Sequence, residues 1–156
     1  METERWEKTD FEAVAALFQG LAHEVRLSLL FGIHQDKSLN EIAEFMDITR
    51  GAMQDHIEKL ISSELLYRPE GSEKTYALTP FGEFFLDFLL ENEERLTDAI
   101  NQLESEEDHV QEVVDEARNK VDKTDIPVSD KEWDRKIHSK KWNGAWEEIE
   151  KTLKEE

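Results

Sequence analysis

The chain has 156 residues, with 38 Asp and Glu against 19 Lys and Arg, and a formal net charge of −19. That length suits one ordinary domain or a small domain with appendages, and 38% apolar residues including eight Phe, four Trp and two Tyr are enough for a core. The lack of cysteine excludes disulfides, thiolate metal sites and a Cys nucleophile. No apolar run approaches the length of a membrane span. Met1-Glu-Thr-Glu-Arg-Trp6 has neither a basic start nor an apolar stretch, so no signal peptide is expected and the expected location is cytoplasmic.

Acidity of this degree normally repels nucleic acid. It fits a nucleic-acid mimic or a protein that avoids DNA, an acidic tail on a neutral domain, or a cell that works in molar salt. The net charge is −7 over residues 1–78 and −12 over 79–156, so the acidity is not confined to a tail. A solvent adaptation spreads charge in this way. At about 1 M salt the Debye length is roughly 3 Å, and the global charge is then largely invisible to a ligand. Lys outnumbers Arg, 12 to 7, which runs against the salt reading.

In chain order, Phe11, Val14, Ala15, Phe18 and Leu21 recur at helical spacing behind Asp10, a natural N-cap. Val25, Leu29, Leu30 and Ile33 predict a second helix. Ser38-Leu-Asn-Glu41 is a capping-box pattern that opens a short third helix with Leu39, Ile42, Ala43 and Met46 inward. After a turn at Asp47-Ile48, Thr49 caps a fourth helix through Ala52, Met53, Ile57, Leu60 and Ile61. Leu65–Pro69 and Thr75–Leu78 have strand composition around the turn-rich Glu70–Lys74, a two-stranded hairpin. Thr79-Pro80 restarts a helix that opens with Phe81, Phe84, Phe85 and Phe88. Leu89, Leu96, Leu103, Val110 and Ala117 then repeat every seven residues, with Asn92, Ala99, Glu106 and Val113 at the other seam position. Residues 80–122 are therefore one long helix or a helical hairpin broken near Ser105–Asp108, ended by Pro127. Ser129-Asp-Lys-Glu132 is a further capping box, followed by Trp133, Ile137, Trp142, Trp146, Ile149 and Leu153 on a tail helix.

Three short helices, a fourth after a tight turn, and a hairpin follow the order of a winged helix-turn-helix. Leu21-Ala-His-Glu-Val-Arg-Leu-Ser-Leu-Leu30, Leu39-Asn-Glu-Ile-Ala-Glu-Phe-Met46, Ile48-Thr-Arg-Gly-Ala-Met-Gln-Asp-His-Ile-Glu-Lys-Leu60 and Glu64-Leu-Leu66 together resemble the ArsR-type winged helix regulators, with the acidic composition of haloarchaeal proteins. The match covers about residues 10–90, and Gln54-x-His56-Ile-x-Lys-Leu60 is its most specific part. The resemblance implies a homodimer on double-stranded DNA, with helix 49–61 in the major groove and wing 67–76 on adjacent backbone. It places Thr49 and Arg50 near phosphate, Gln54 on a base with Gly51 and Met53 beside it, His56 near a phosphate or base, and Ser38, Lys59, Arg68 and Lys74 around them. Ser38 and Asn40 stand where metal-sensing members carry a Cys-x-Cys pair, so no thiolate sensor, metal or other cofactor is expected.

The resulting expectation is a mainly α fold with a small β-hairpin. Residues 1–79 form the winged helix-turn-helix domain, 80–124 a dimerisation helix using Phe81, Phe84, Phe85, Phe88, Leu89, Leu96, Leu103 and Val110, and 125–156 an acidic helical tail. Trp133, Trp142 and Trp146 either dock on their own chain or capture a protein partner. His23 reads as a cap or surface residue, and Asp108, His109 and Glu112 as a solvated face. With no phosphate loop and no nucleophile motif, catalysis is not expected. Asp55 and Glu58 on the fourth helix, with Glu70 and Glu73 in the wing, keep a second reading open, in which the winged helix contacts protein instead of DNA.

Overall fold

The computed structural model describes residues 2–71, 75–122 and 128–154, with side chains from residue 5 onward. The elements are α1 (Glu2–Lys8), α2 (Phe11–Leu21), α3 (Glu24–His34), α4 (Leu39–Met46), α5 (Arg50–Ser62), β1 (Leu66–Tyr67), β2 (Ala77–Leu78), α6 (Pro80–Asp122) and α7 (Asp130–Lys154). The fold is mainly helical with one two-stranded antiparallel sheet, paired Leu66 to Leu78 and Tyr67 to Ala77. Among the described residues no single helix is long and apolar enough to cross a membrane. The chain divides into two compact units, residues 1–89 and 90–156.

In the first unit α2 to α6 each begin where a side chain satisfies a first-turn amide. Asp10 accepts from the Ala13 amide at 3.0 Å, and Thr49 Oγ1 from that of Ala52 at 3.1 Å. Thr79 Oγ1 accepts from Gly82 at 3.1 Å. Ser38 and Glu41 close the capping box in both directions, each at 3.1 Å. His23 caps α3, its Nδ1 accepting from the Val25 amide at 3.1 Å. Two left-handed residues bound α5: Asp47 (φ 53°) ends α4, and Glu64 (φ 65°) turns the chain from α5 into β1.

The core gathers Val25, Leu29 and Leu30 of α3, Ile42 and Ala43 of α4, and Met53, Ile57 and Leu60 of α5, with Leu65, Leu66 and Tyr76 from the hairpin. Phe85 from the first turns of α6 packs against it. Two glycines permit close approach. A Cβ on Gly20 would overlap Ser63 and Leu65, and one on Gly82 would overlap the Leu65 carbonyl. Small residues there let α2 and the start of α6 press onto the chain leaving α5.

In the second unit α7 lies antiparallel along the later turns of α6. Ala99 and Leu103 pack with Trp142, Ala145 and Ile149. Further along, Val110, Val114 and Val121 pack with Val128, Trp133 and Ile137. Gln102 bonds Thr152 at 2.8 Å, Lys141 pairs with Glu107 at 3.2 Å, and Arg118 pairs with Asp130. Ser129 Oγ accepts from the Glu132 amide at 3.3 Å.

Several expectations change. The helix α1 has no apolar period to announce it. The strands shrink to two residues each. No break occurs near Ser105–Asp108: α6 runs 43 residues unbroken, about 64 Å at 1.5 Å per residue. The strict heptad also drifts. Val113, expected in the seam, is 49% exposed, and Val114 is buried in its place. A helix of 3.6 residues per turn departs from a seven-residue repeat by about 20° per heptad. Leu103 and Val110, expected to face a second copy, are covered by α7 of their own chain. Trp133 is buried and Trp142 half-buried, whereas Trp146 is exposed. Pro127 lies outside the described residues.

Two stability measurements follow. Glu64 holds a left-handed φ that costs an L-residue about 1–2 kcal/mol, part of which glycine's extra chain entropy returns. Glu64→Gly is expected to raise stability by up to about 1 kcal/mol in urea denaturation, with an unchanged m-value. Trp133→Ala empties the end of the α6–α7 contact beside Val110 and Val114 and is expected to cost about 3 kcal/mol, seen as lost amide-exchange protection across residues 90–156.

Candidate nucleic-acid interface

The stripe Met53, Ile57 and Leu60 is buried, with the last two inaccessible to solvent. That stripe sets the rotation of α5. At about 100° per residue, Asp55 lies within about 15° of the outward midline, Gly51 about 30° away, and Glu58 and Lys59 about 50° to either side. Gln54 sits nearer the flank. All five are exposed.

The outward side chains of α5 form a connected set. Arg50 donates to Asn40 Oδ1 of α4 at 2.7 Å, so α4 holds the guanidinium at the head of α5. Gln54 Nε2 donates to Glu58 Oε1 at 3.0 Å, and Arg68, just past β1, donates to the same oxygen at 2.9 Å. The Arg68 guanidinium also lies 5.5 Å from the centroid of the Tyr76 ring. Tyr76 and Glu58 both hold its pKa above the usual arginine range. Glu58 thus joins the exposed face of α5 to the base of the hairpin. A Cβ on Gly51 would meet only Thr49 Oγ1, at 3.9 Å, so a ligand can come close to the backbone of the first turn, whose amides head the helix. Beside it, Ser38, Asn40, Arg50, Lys37, Thr75 and Tyr76 line part of a surface cavity of about 380 Å³.

The sequence-predicted site residues divide accordingly. Thr49, Arg50, Gly51, Gln54, Lys59 and Arg68 are exposed around α5 and the hairpin. Thr49 spends its acceptor on the cap and keeps its hydroxyl hydrogen. Ser38 serves the α4 capping box at the rim of the same face. Lys74 lies outside the described residues, as does Glu73. Met53 is a correction: at 1% exposure it belongs to the core and cannot touch a base.

His56 is half-buried, with its ring engaged on the α3 side. Its centroid is 4.3 Å from that of His23, and its Nδ1 is 3.4 Å from Arg26 Nη1. Desolvation first, then His23 and Arg26, lower its pKa below the ordinary 6.5, against an opposing pull from Asp55. Sequence reading missed Arg26, although it sits in the family-like stretch Leu21–Leu30. Its other nitrogen donates to the Gln19 and Ala22 carbonyls at 3.2 and 3.3 Å, closing the end of α2.

The residues expected to dimerise are likewise distributed. Phe81, Phe84 and Phe88 are exposed at 53%, 67% and 56%. Phe85 is half-buried edge-on to Phe18 at 5.4 Å, and Leu89 is half-buried. In the second unit Leu96 is exposed, while Leu103 and Val110 are taken by α7.

No family model, curated protein or solved structure matches the chain.

The depressed His56 pKa gives a signed pH dependence. Its contribution is complete above pH 6.5, the ordinary value, and is lost as pH falls through the lower native pKa. Acid also neutralises carboxylates and relieves repulsion in this anionic chain, so the readout is the difference between parent and His56→Gln. The parent is expected to lose stability relative to the variant as pH falls from about 7.5 to about 5, followed by thermal melts.

Proposed function

We propose that residues 1–89 form a winged helix-turn-helix and that the chain is a homodimeric transcription regulator reading duplex DNA. The observation that carries this reading is the way α5 is held. One face is buried on α3, its head is tied to α4 through Arg50 and Asn40, and its outer face emerges beside a short hairpin. A major groove about 12 Å wide accepts one helix presented in that way. Arg50, Thr49 and the first-turn amides are placed for phosphate, and Gln54 for a base edge. Arg68 stands where the wing meets neighbouring backbone.

The homodimer rests on the exposed aromatic side chains Phe81, Phe84 and Phe88 together with Phe11 and Phe18 of α2. Two copies would set their α5 helices about 34 Å apart on a pseudo-palindrome. A second reading, a winged helix that contacts protein, is favoured by one observation: the outward face of α5 carries Asp55 near its midline and Glu58 beside it. DNA is preferred because roughly 3 Å of screening in molar salt removes long-range repulsion while leaving contact hydrogen bonds in place.

Gel shifts against genomic fragments in matched KCl, from about 0.1 to 2 M, separate the readings. Arg50→Ala and Gln54→Ala are each expected to weaken specific binding by about 1–3 kcal/mol and to leave the dimer mass unchanged in light scattering. A parent protein that shifts no duplex at any salt while retaining a protein in pull-down establishes the second reading.

A further inference from the structure

We propose that Glu58 is a specificity-determining residue whose carboxylate accepts from the exocyclic amine of a cytosine in the bound duplex. The inference rests on the DNA-reading function proposed above and adds the base that the acidic face selects. Glu58 Oε1 already accepts two N–H donors in the free protein, the Gln54 amide at 3.0 Å and the Arg68 guanidinium at 2.9 Å. Both are groups that DNA would draw away. Gln54 pairs with an adenine edge and Arg68 with a phosphate, and each departure leaves Glu58 short of a donor. An ionised carboxylate is acceptor-only. In the major groove, cytosine presents the N4 amine as its donor, whereas guanine offers N7 and O6, and thymine O4, which are acceptors. A carboxylate at that position gains a hydrogen bond from cytosine and is repelled by guanine and thymine, so it works by rejection as well as attraction. Adenine offers its N6 amine beside the N7 acceptor, and an amide that both donates and accepts matches that edge better than a carboxylate.

Glu58 is suited to this by placement. It lies one turn after Gln54, so the two side chains rise about 6 Å apart along the helix, within reach of neighbouring base pairs. Until DNA arrives, Arg68, lying over Tyr76, holds the carboxylate on the outward face of α5.

The test is selection from a randomised duplex library in matched KCl with the parent, Glu58→Gln, Glu58→Ala and Arg68→Gln. The parent is expected to enrich cytosine at one position in each half-site by on the order of tenfold over the other bases. Glu58→Gln is expected to move that position toward adenine, and Glu58→Ala to flatten it, both still binding duplex. Arg68→Gln is expected to keep the cytosine and reduce the salt slope by about one. If the cytosine survives in both Glu58 variants, or disappears equally in Arg68→Gln, Glu58 only positions Arg68 and the proposal falls while DNA binding stands. If the parent enriches no duplex, both fall together.

Discussion

The rotation of α5 about its own axis is the constraint on which the rest of the first unit depends. Met53, Ile57 and Leu60 are withdrawn from water against Leu29 and Leu30, and each such side chain contributes about 1.5–3 kcal/mol by burial. No alternative phase of the helix buries a comparable stripe, since the opposite side carries Gly51, Asp55, Glu58 and Lys59. Arg26 adds a polar tie by holding the last carbonyls of α2 while reaching His56 on α5. The left-handed residues Asp47 and Glu64 then fix how the chain enters and leaves the helix. What α5 presents outward is therefore decided from within.

On the DNA-reading proposal the surface it presents is unusual, and its local chemistry matters more than its net charge. The Arg68–Glu58 pair is exposed on both sides, and pairs of that kind add little to stability. Their importance is geometric. One carboxylate oxygen collects donors from the helix and from the hairpin, so the two parts of the surface share a partner. At about 1 M salt the field of the whole chain decays within roughly 3 Å, close to a hydrogen-bond length. Only contacts between touching groups then discriminate between ligands. A carboxylate that is a repulsive liability at a distance becomes a directional acceptor at contact.

Much of the first unit was legible because its signals are local. Asp10, Thr49, Thr79 and the Ser38–Glu41 box cap helices within three residues of themselves, and the structure places each as the sequence predicted. The facing of Met53 and His56 was not legible from the motif. A spacing of three residues separates them, and only the position of α3 decides that Met53 falls in the core and His56 at its edge. Arg26 was hidden for the same reason: its partners lie at the end of α2 and on α5, and no local pattern encodes them. In the second unit the heptad marked part of an apolar stripe, Ala99, Leu103 and Val110, but not its owner. A seven-residue repeat states that a helix needs a neighbour; it does not state whether that neighbour is a second copy or a later segment of the same chain. The tail tryptophans carried that answer, since Trp133 and Trp142 fill the places beside Val110 and Leu103.

That internal pairing reshapes the proposed dimer. Once α7 occupies the stripe formed by Ala99, Leu103, Val110 and Val114, a parallel coiled coil through the same residues would expel Trp133, Ala145 and Ile149 into water. A second copy would have to repay that loss before contributing anything, so the self-paired arrangement is favoured. Among the described residues of the first unit, Phe11, Phe18, Phe81 and Phe84 keep apolar surface exposed. Phe81 and Phe84 lie one turn apart on the opening of α6, and Phe11 and Phe18 two turns apart on α2. Clusters of exposed aromatics on one domain are typical of an interface core. A twofold contact made there would use the same patch on both copies. It would fix the separation of the two α5 helices through the unit that carries them. On the DNA-reading proposal this is the simpler design, because operator spacing then depends on one packed core and its aromatic face instead of on the phase of a 43-residue helix.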